Sequence, residues 1–500
     1  MNSIRLRDSE ADRQPDKAAV AAPPMRRALL VPGFILLLAV IAVYDTFLLG
    51  NGHMRLIAPE QLDRAFGSML RHLLRGDFGV DADAIGFEAF TRNGQTTTYF
   101  GIFPALLRLL ALPFTDVAQG GLSRLSCLIA MVLFVGLQLR TLWLVHDAEP
   151  AEARSATVLT VVAVATCLSG PQLYLLGSAT IYHEPVFWAG AMGAAYNLVL
   201  LRGVLVRHAL SAGDMAVLAG LAVLALNTRA SVGAALCLTT GLLVLLALFA
   251  NGWRGLFGRV LRAEVGWPVL VLAVGVAVAG TVNFERWGSP FSFADFRYYD
   301  FAHRQPQRLE MILRYGELNP MRIPIGILYY ATGIPYLLKF FPVFNEYFRS
   351  HFDGLEAPPF SGLFVNPLTV VLAGVGLWRI VRRPPVLPGH GVMVLRLALI
   401  GHAAAIVLVC SAMYLAMRYR MDFAPFMTLA AFIGYPVVMQ AARGAHGQAV
   451  RTAGIMLCLA GILASHYLLL VHKVWSIGVP MDVRQALLPF APFARAALQP

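Results

Sequence analysis

Six carboxylates crowd one stretch of the chain, Glu60, Asp63, Asp77, Asp81, Asp83 and Glu88, and Asp45 stands a little before them. A carboxylate in a sheltered groove can act as a general base, taking the proton from an attacking hydroxyl. By position, Glu60 and Asp63 are the first candidates for that work, Asp81 and Asp83 the next, and Asp45 after them. A second set of charges, Arg229, Arg286, Arg418 and Arg420, is scattered through later turns. Guanidinium groups hold phosphate through paired, charge-assisted hydrogen bonds. Acids from one loop and arginines from others, brought to one membrane face, would make a site for moving a group off a phosphate. The plainer alternative for each single residue is structural: acids in a first helical turn complement the helix dipole, and arginines at helix ends touch lipid headgroups.

Those charges need elements to position them. The chain has 500 residues, 58% hydrophobic and only 14% charged, against the ~25% charged residues of a soluble globular chain. Repeated apolar runs are long enough to cross a ~30 Å hydrocarbon core as helices of about 20 residues. Eleven spans are expected, near 28–49, 121–145, 155–176, 183–202, 210–227, 231–250, 266–283, 365–381, 393–414, 421–441 and 452–472. The arginines of the short loops, among them Arg140, Arg154, Arg202, Arg207, Arg254, Arg259, Arg262, Arg379, Arg382, Arg383, Arg443 and Arg451, fall on one side if the N-terminus is cytoplasmic. The formal charge of +12 is explained by these helix ends, so no nucleic-acid partner is expected. The five cysteines lie inside apolar runs without C-x-x-C spacing and read as packing residues.

The fold class is therefore an all-α polytopic membrane protein with two large external loops carrying amphipathic or juxtamembrane helices. Its expected parts are a disordered cytoplasmic tail (1–27), an N-terminal transmembrane module (28–283) that includes the external loop 50–120, a second external loop (284–364), C-terminal transmembrane helices (365–472) and an external tail (473–500). Segment 324–344 is apolar enough to span, but Pro324, Pro335 and Pro342 break it, so a re-entrant or interface-lying helix pair is expected there. Aromatic residues are dense in both loops, Tyr99 among them, as befits helices enclosing a cavity at the membrane surface. His183-Glu184 sits in a short turn on the same side. Arg229 lies in an external turn against the short-loop arginine bias. His53 and His72 have no tight metal-site spacing. No metal is required by the sequence; a divalent cation held by loop carboxylates is the one cofactor left open.

Several runs carry a resemblance. Leu73-Leu74-Arg75-Gly76-Asp77-Phe78, then Glu88-Ala89-Phe90, Asn93-Gly94 and Tyr99-Phe100-Gly101-Ile102-Phe103-Pro104, resemble bacterial membrane proteins of the GT-C glycosyltransferase superfamily. So do Asn283-Phe284-Glu285-Arg286-Trp287-Gly288 and the late Arg418-Tyr419-Arg420-Met421-Asp422-Phe423. The order of these parts matches over most of the chain, and each motif is moderately specific. The resemblance implies an inverting transferase that moves a sugar from a polyprenyl-phosphate donor to a glycan, lipid or protein acceptor. It further implies a bacterial inner membrane and an active site on the periplasmic side. In that superfamily an acid early in the first external loop is the base, usually within an Asp-Glu or Glu-Asp pair. Here Glu60 is followed by Gln61, so the choice among Glu60, Asp63 and the later acids stays open. Arg229, Arg286, Arg418 and Arg420 would hold donor phosphate, and Glu88, Tyr99, His183 and Glu184 would line the substrate site. A glycan ligase or polymerase of another fold, or a lipid-linked glycan transporter, are the alternatives.

Overall fold

A computed structural model describes residues 24–249, 263–304, 306–356, 362–382, 385, 387, 390–475 and 479–490. Most of the expected N-terminal tail, the arginines Arg254, Arg259, Arg262 and Arg383, and the end of the C-terminal tail lie outside the described residues.

A helix stands at each of the eleven expected positions: Pro24–Leu49, Ser123–Ala148, Ala156–Leu168 (continued by Pro171–Leu175), His183–Arg202, Ala212–Leu226, Ala230–Phe249, Ala263–Trp287, Pro367–Arg382, Gly391–Ser411, Ala424–Ala441 and Gly447–Trp475. Among the described residues nine helical segments are long and apolar enough to cross a membrane. The exceptions, Ala212–Leu226 with 15 residues and Pro367–Arg382 with 16 residues, fall short of the ~20 residues a full crossing takes. The first starts late because Ser211 and Asp214 form a reciprocal capping box, which satisfies two of the amide donors a helix start leaves open.

Water-free packing between helices selects small residues, which let backbones approach closely. Gly376 and Gly434 face one another across the Pro367–Arg382 and Ala424–Ala441 helices. A Cβ on Gly376 would stand 1.9 Å from the Ala430 carbonyl oxygen, and one on Gly434 would stand 2.1 Å from that of Leu372. Polar residues tie other helices together. The His402 ring bonds Thr239 Oγ1 at 2.8 Å and Asn197 Oδ1 at 3.1 Å, joining three helices through one imidazole.

The two long segments that would stand outside the membrane fold on each other. In the first, Ala65–Leu74 buries Ala65, Phe66, Met69 and Leu70. A short antiparallel hairpin follows, Phe90–Arg92 with Gln95–Thr97. Its turn residues Asn93 and Gly94 both have positive φ (50° and 79°), the requirement of a two-residue type I′ hairpin turn. Phe90 also bridges to Tyr299 of the second segment, their rings stacked at 4.7 Å. In the second segment, Gly354–Leu355 pairs in parallel with Tyr414–Leu415. The buried Arg322 gathers the carbonyls of His351 (2.6 Å), Gly316 (2.9 Å) and Glu317 (3.0 Å). The proline-rich stretch forms two short helices, Ile323–Thr332 and Ile334–Leu338, separated by Gly333 at φ 74°. Ten helical residues rise about 15 Å, half of the hydrocarbon thickness, so Ile323–Thr332 does not cross.

Candidate functional site

A cavity of about 1160 Å³ opens between the two long segments and the ends of the helix bundle. Glu88 lies deep in its wall. It ends the 3₁₀ turn Gly86–Glu88 that precedes the hairpin and is 8% exposed. The Tyr182 hydroxyl donates to Glu88 Oε1 at 2.5 Å. Burial pushes the Glu88 carboxyl above its ordinary pKa, while that hydrogen bond and the positive charges of Arg418 and Arg308 pull the other way.

Both arginines are paired with other acids. Arg418 Nη1 donates to Glu356 Oε1 at 3.1 Å, and its guanidinium lies 4.9 Å above the Tyr182 ring and 5.0 Å above that of Tyr419. Arg308 Nη2 pairs with Asp353 Oδ2 at 2.6 Å and lies 5.2 Å above the Tyr299 ring. Asp353 and Glu356 flank the short strand Gly354–Leu355, and that strand is zipped to the chain just before Arg418. Pairing therefore sets the direction of both guanidinium groups. Aromatic faces favour such cations, leaving each arginine held in place and close to Glu88.

His183 and Tyr99 also line the cavity. His183 Nδ1 donates to the Ser178 carbonyl at 2.6 Å, and the His472 ring stands 5.5 Å from it. A second, smaller cavity of about 270 Å³ lies inside the helix bundle. Its lining is mainly apolar, including Phe134, Ile327, Leu363, Val370 and Met427, and it also takes in Arg420. Arg418 and Arg420 share one 3₁₀ segment, Met417–Phe423, so a single turn of chain borders the polar cavity and the apolar one.

Of the residues the sequence singled out, Glu88, Tyr99, His183 and Arg418 are brought together in the polar cavity. The others have different partners. Glu60 accepts from Arg124 Nε at 2.5 Å; burial raises its pKa and Arg124 opposes that. Asp63 accepts from the Glu60 and Gly121 amides at 2.9 and 2.7 Å, fixing a turn. Asp81 is held by Ser68, Arg71 and His72, and the Ser68 hydrogen bond is the largest cause of its lowered pKa. Asp83 pairs with Arg64 on the surface at 3.0 Å. Glu184 forms a buried two-point pair with Arg108, both contacts 2.7 Å. Arg229 pairs with Asp422 at 2.5 Å, and Arg286 donates to the Phe100 carbonyl at 2.8 Å. Asp45 is fully buried within the first helix, and among the described residues neither of its oxygens has a hydrogen-bond partner. Arg308, Asp353, Glu356 and Tyr182 escaped the sequence reading, because nothing in their spacing links residues that far apart. Among the described residues no group of three or more His, Cys, Asp or Glu gathers where it could hold a metal ion.

Fold and cavity together define a multi-pass, predominantly α-helical membrane protein with a charged, aromatic-walled chamber beside its helix bundle. Solved structures with similar traces include ArnT from Cupriavidus metallidurans bound to undecaprenyl phosphate, with 12% identity, 95% of this chain and 79% of that chain covered, and a TM-score of 0.41. The archaeal oligosaccharyltransferase AglB from Archaeoglobus fulgidus, in complex with an inhibitory peptide and a dolichol-phosphate, matches with 13% identity over 90% of this chain and a TM-score of 0.46. The chain spans 56% of the length of that oligosaccharyltransferase. No protein-family profile and no curated protein sequence matches the chain.

Proposed function

We propose that this protein is a membrane glycosyltransferase that moves a sugar from a polyprenyl-phosphate donor to a glycan, lipid or protein acceptor. The observation that carries the reading is the junction at Met417–Phe423, where a polar cavity holding Glu88 meets an apolar one. A lipid-linked sugar phosphate has the same three-part chemistry: an apolar chain, an anion and a polar ring. The chain would lie in the apolar cavity, the phosphate between Arg418 and Arg420, and the sugar in the polar chamber near Glu88.

In the reaction, ionised Glu88 takes the proton of the acceptor hydroxyl as its oxygen bonds to the anomeric carbon. The bond from that carbon to the phosphate oxygen breaks, and the leaving phosphate keeps the electron pair. Arg418 stabilises the charge that develops there, the kind of preorganised electrostatics that lowers such barriers most. Attack opposite the leaving group inverts the anomeric centre. Tyr182 keeps the Glu88 carboxylate turned toward the acceptor. The short-loop arginines support a cytoplasmic N-terminus and a site on the outer, periplasmic face of a bacterial inner membrane. The same reading divides the chain into the five parts set out from sequence.

The test is binding of undecaprenyl phosphate to the full chain in nanodiscs, with undecaprenol as the control. Undecaprenyl phosphate should bind at least about 10-fold tighter, and Arg418→Ala should remove most of that advantage, as expected for a charge-assisted phosphate contact. Equal binding of the alcohol and the phosphate would end the proposal.

A further inference from the structure

The polar cavity is not uniformly charged. Its deep end has Glu88 with Arg418 and Arg308 close by. The wall also holds Glu317, whose side chain, among the described residues, has a single long hydrogen bond, accepted from the Phe296 amide at 3.4 Å. Among the described residues no ion pair reaches its carboxyl. The charge that shifts it is another acid, Asp295, itself paired with Arg297.

The backbone under Glu317 is firmly held. Its carbonyl accepts from the Met413 amide and from Arg322 Nη1, each at 3.0 Å, and the next residue, Leu318, bridges to Ala412. Arg322 is itself fully buried. A carboxyl on so constrained a backbone is positioned, not incidental. The surrounding rim is aromatic: Phe291 is 96% exposed and Phe293 47% exposed, and both line the same cavity. Leu318, also on the lining, is 56% exposed. These exposed side chains lie on the solvent-open side of the lining, whereas Glu88 is buried in it.

We infer that Glu317 and the phenylalanine rim form a second subsite at the cavity mouth, which binds the neutral hydroxyl face of a saccharide acceptor. The assignment rests on the transferase reading for the word acceptor, and on the geometry alone for the saccharide. Aromatic faces pack against the C–H side of a sugar ring, while a carboxyl without a counter-charge bonds its hydroxyls. An anion would meet the Glu317 carboxyl, which has no salt-bridge partner among the described residues, beside Asp295, whose charge is already taken up by Arg297. Burial pushes the Glu317 carboxyl up to about 8, so near neutral pH it is mostly the protonated acid. In that form it donates and accepts, which suits hydroxyls better than an ammonium group.

The experiment measures binding of three methyl glycosides to the full chain in nanodiscs: a neutral glucoside, its 2-amino analogue and the glucuronide. The neutral glucoside should bind about 10-fold tighter than the glucuronide. Glu317→Leu should weaken it about 5- to 10-fold, the loss of one or two buried hydrogen bonds. Glu317→Gln keeps a donor and an acceptor and should hold affinity within about twofold. Undecaprenyl phosphate binding should be unchanged in both variants, which also shows that they fold. An unaltered affinity in Glu317→Leu would overturn the subsite. So would a preference for the amino glycoside that vanishes in Glu317→Gln, which would make Glu317 an ammonium site. If glycoside binding depends on Glu317 while no protein, wild type included, prefers undecaprenyl phosphate, the saccharide subsite stands and the transferase reading falls.

Discussion

The first long segment and the cavity it borders use the same residue types in opposite ways. Glu60, Asp63, Asp81 and Asp83 are each paired with a counter-charge or amide from residues 60–124. Glu88, only a few residues later, faces a hydroxyl and two arginines that are already engaged by other acids. A carboxylate whose partners are committed to it stabilises the fold. One whose neighbours are committed elsewhere keeps capacity for a ligand. Acid content alone does not separate the two regions; the destination of each counter-charge does.

That contrast can be broken by substitution, and the largest effect is expected at Glu88. Glu88→Gln keeps an acceptor for Tyr182 and removes the proposed base. Transfer in a reconstituted assay should fall by about 10² to 10⁴, the range of general-base contributions, with the unfolding temperature nearly unchanged. A parallel loss of both would place Glu88 with the structural acids. Next comes the Arg108–Glu184 pair, whose members are 4% and 0% exposed. Removing one partner of a buried pair leaves an uncompensated charge and costs about 3–5 kcal/mol. Arg108→Ala should therefore lower thermal stability sharply, and a melting curve matching wild type would contradict the assignment.

A subtler test uses pH. The Asp81 pKa is lowered in the fold, so the stability it adds is fully present above its unfolded value of roughly 3.9. That contribution disappears as pH falls through the lower folded value. Melting curves between about pH 5 and pH 3 should show a steeper loss for wild type than for Asp81→Asn. Parallel curves would remove Asp81 from the structural group. The smallest effect is expected at Asp83, where the side chain is 69% exposed and its Arg64 partner 44% exposed. Asp83→Asn should change stability by no more than ~0.5 kcal/mol and leave transfer intact.

Much of the helix framework was legible in the sequence, because a membrane demands apolar runs of nearly fixed length. The two short helices show the limit. Pro367 and the Ser211–Asp214 capping box set their starts, and a hydropathy run does not reveal where a helix begins within it. The break at Gly333 was foreshadowed by Pro324, Pro335 and Pro342. The candidate site was legible only in part. Glu88, Tyr99, His183 and Arg418 were singled out and share the cavity, yet the base was sought at Glu60 or Asp63 first, then Asp81, Asp83 and Asp45, with Glu88 expected only to line the substrate site. Their ranking came from closeness to the first span. Arg124, which occupies Glu60, begins the next long helix, and nothing in the spacing announces that pair. Glu317 went unnoticed because its distinguishing property is a carboxyl without a salt-bridge partner among the described residues, which only three-dimensional packing exposes.

The bridge between Phe90 and Tyr299, reinforced by a hydrogen bond from the Thr91 hydroxyl to Asp300 across 209 residues, also constrains how the protein is made. At about 5–20 residues per second, roughly 10–40 s of synthesis separates the two halves of that clasp. Through that interval the hairpin has emerged but its partner strand has not, and Arg418 comes later still. The local helix of the first segment can form at once, whereas the chamber has no second wall until most of the bundle is inserted. Assembly thus imposes its own order, in which the self-contained acids settle early and the one facing the cavity is enclosed last.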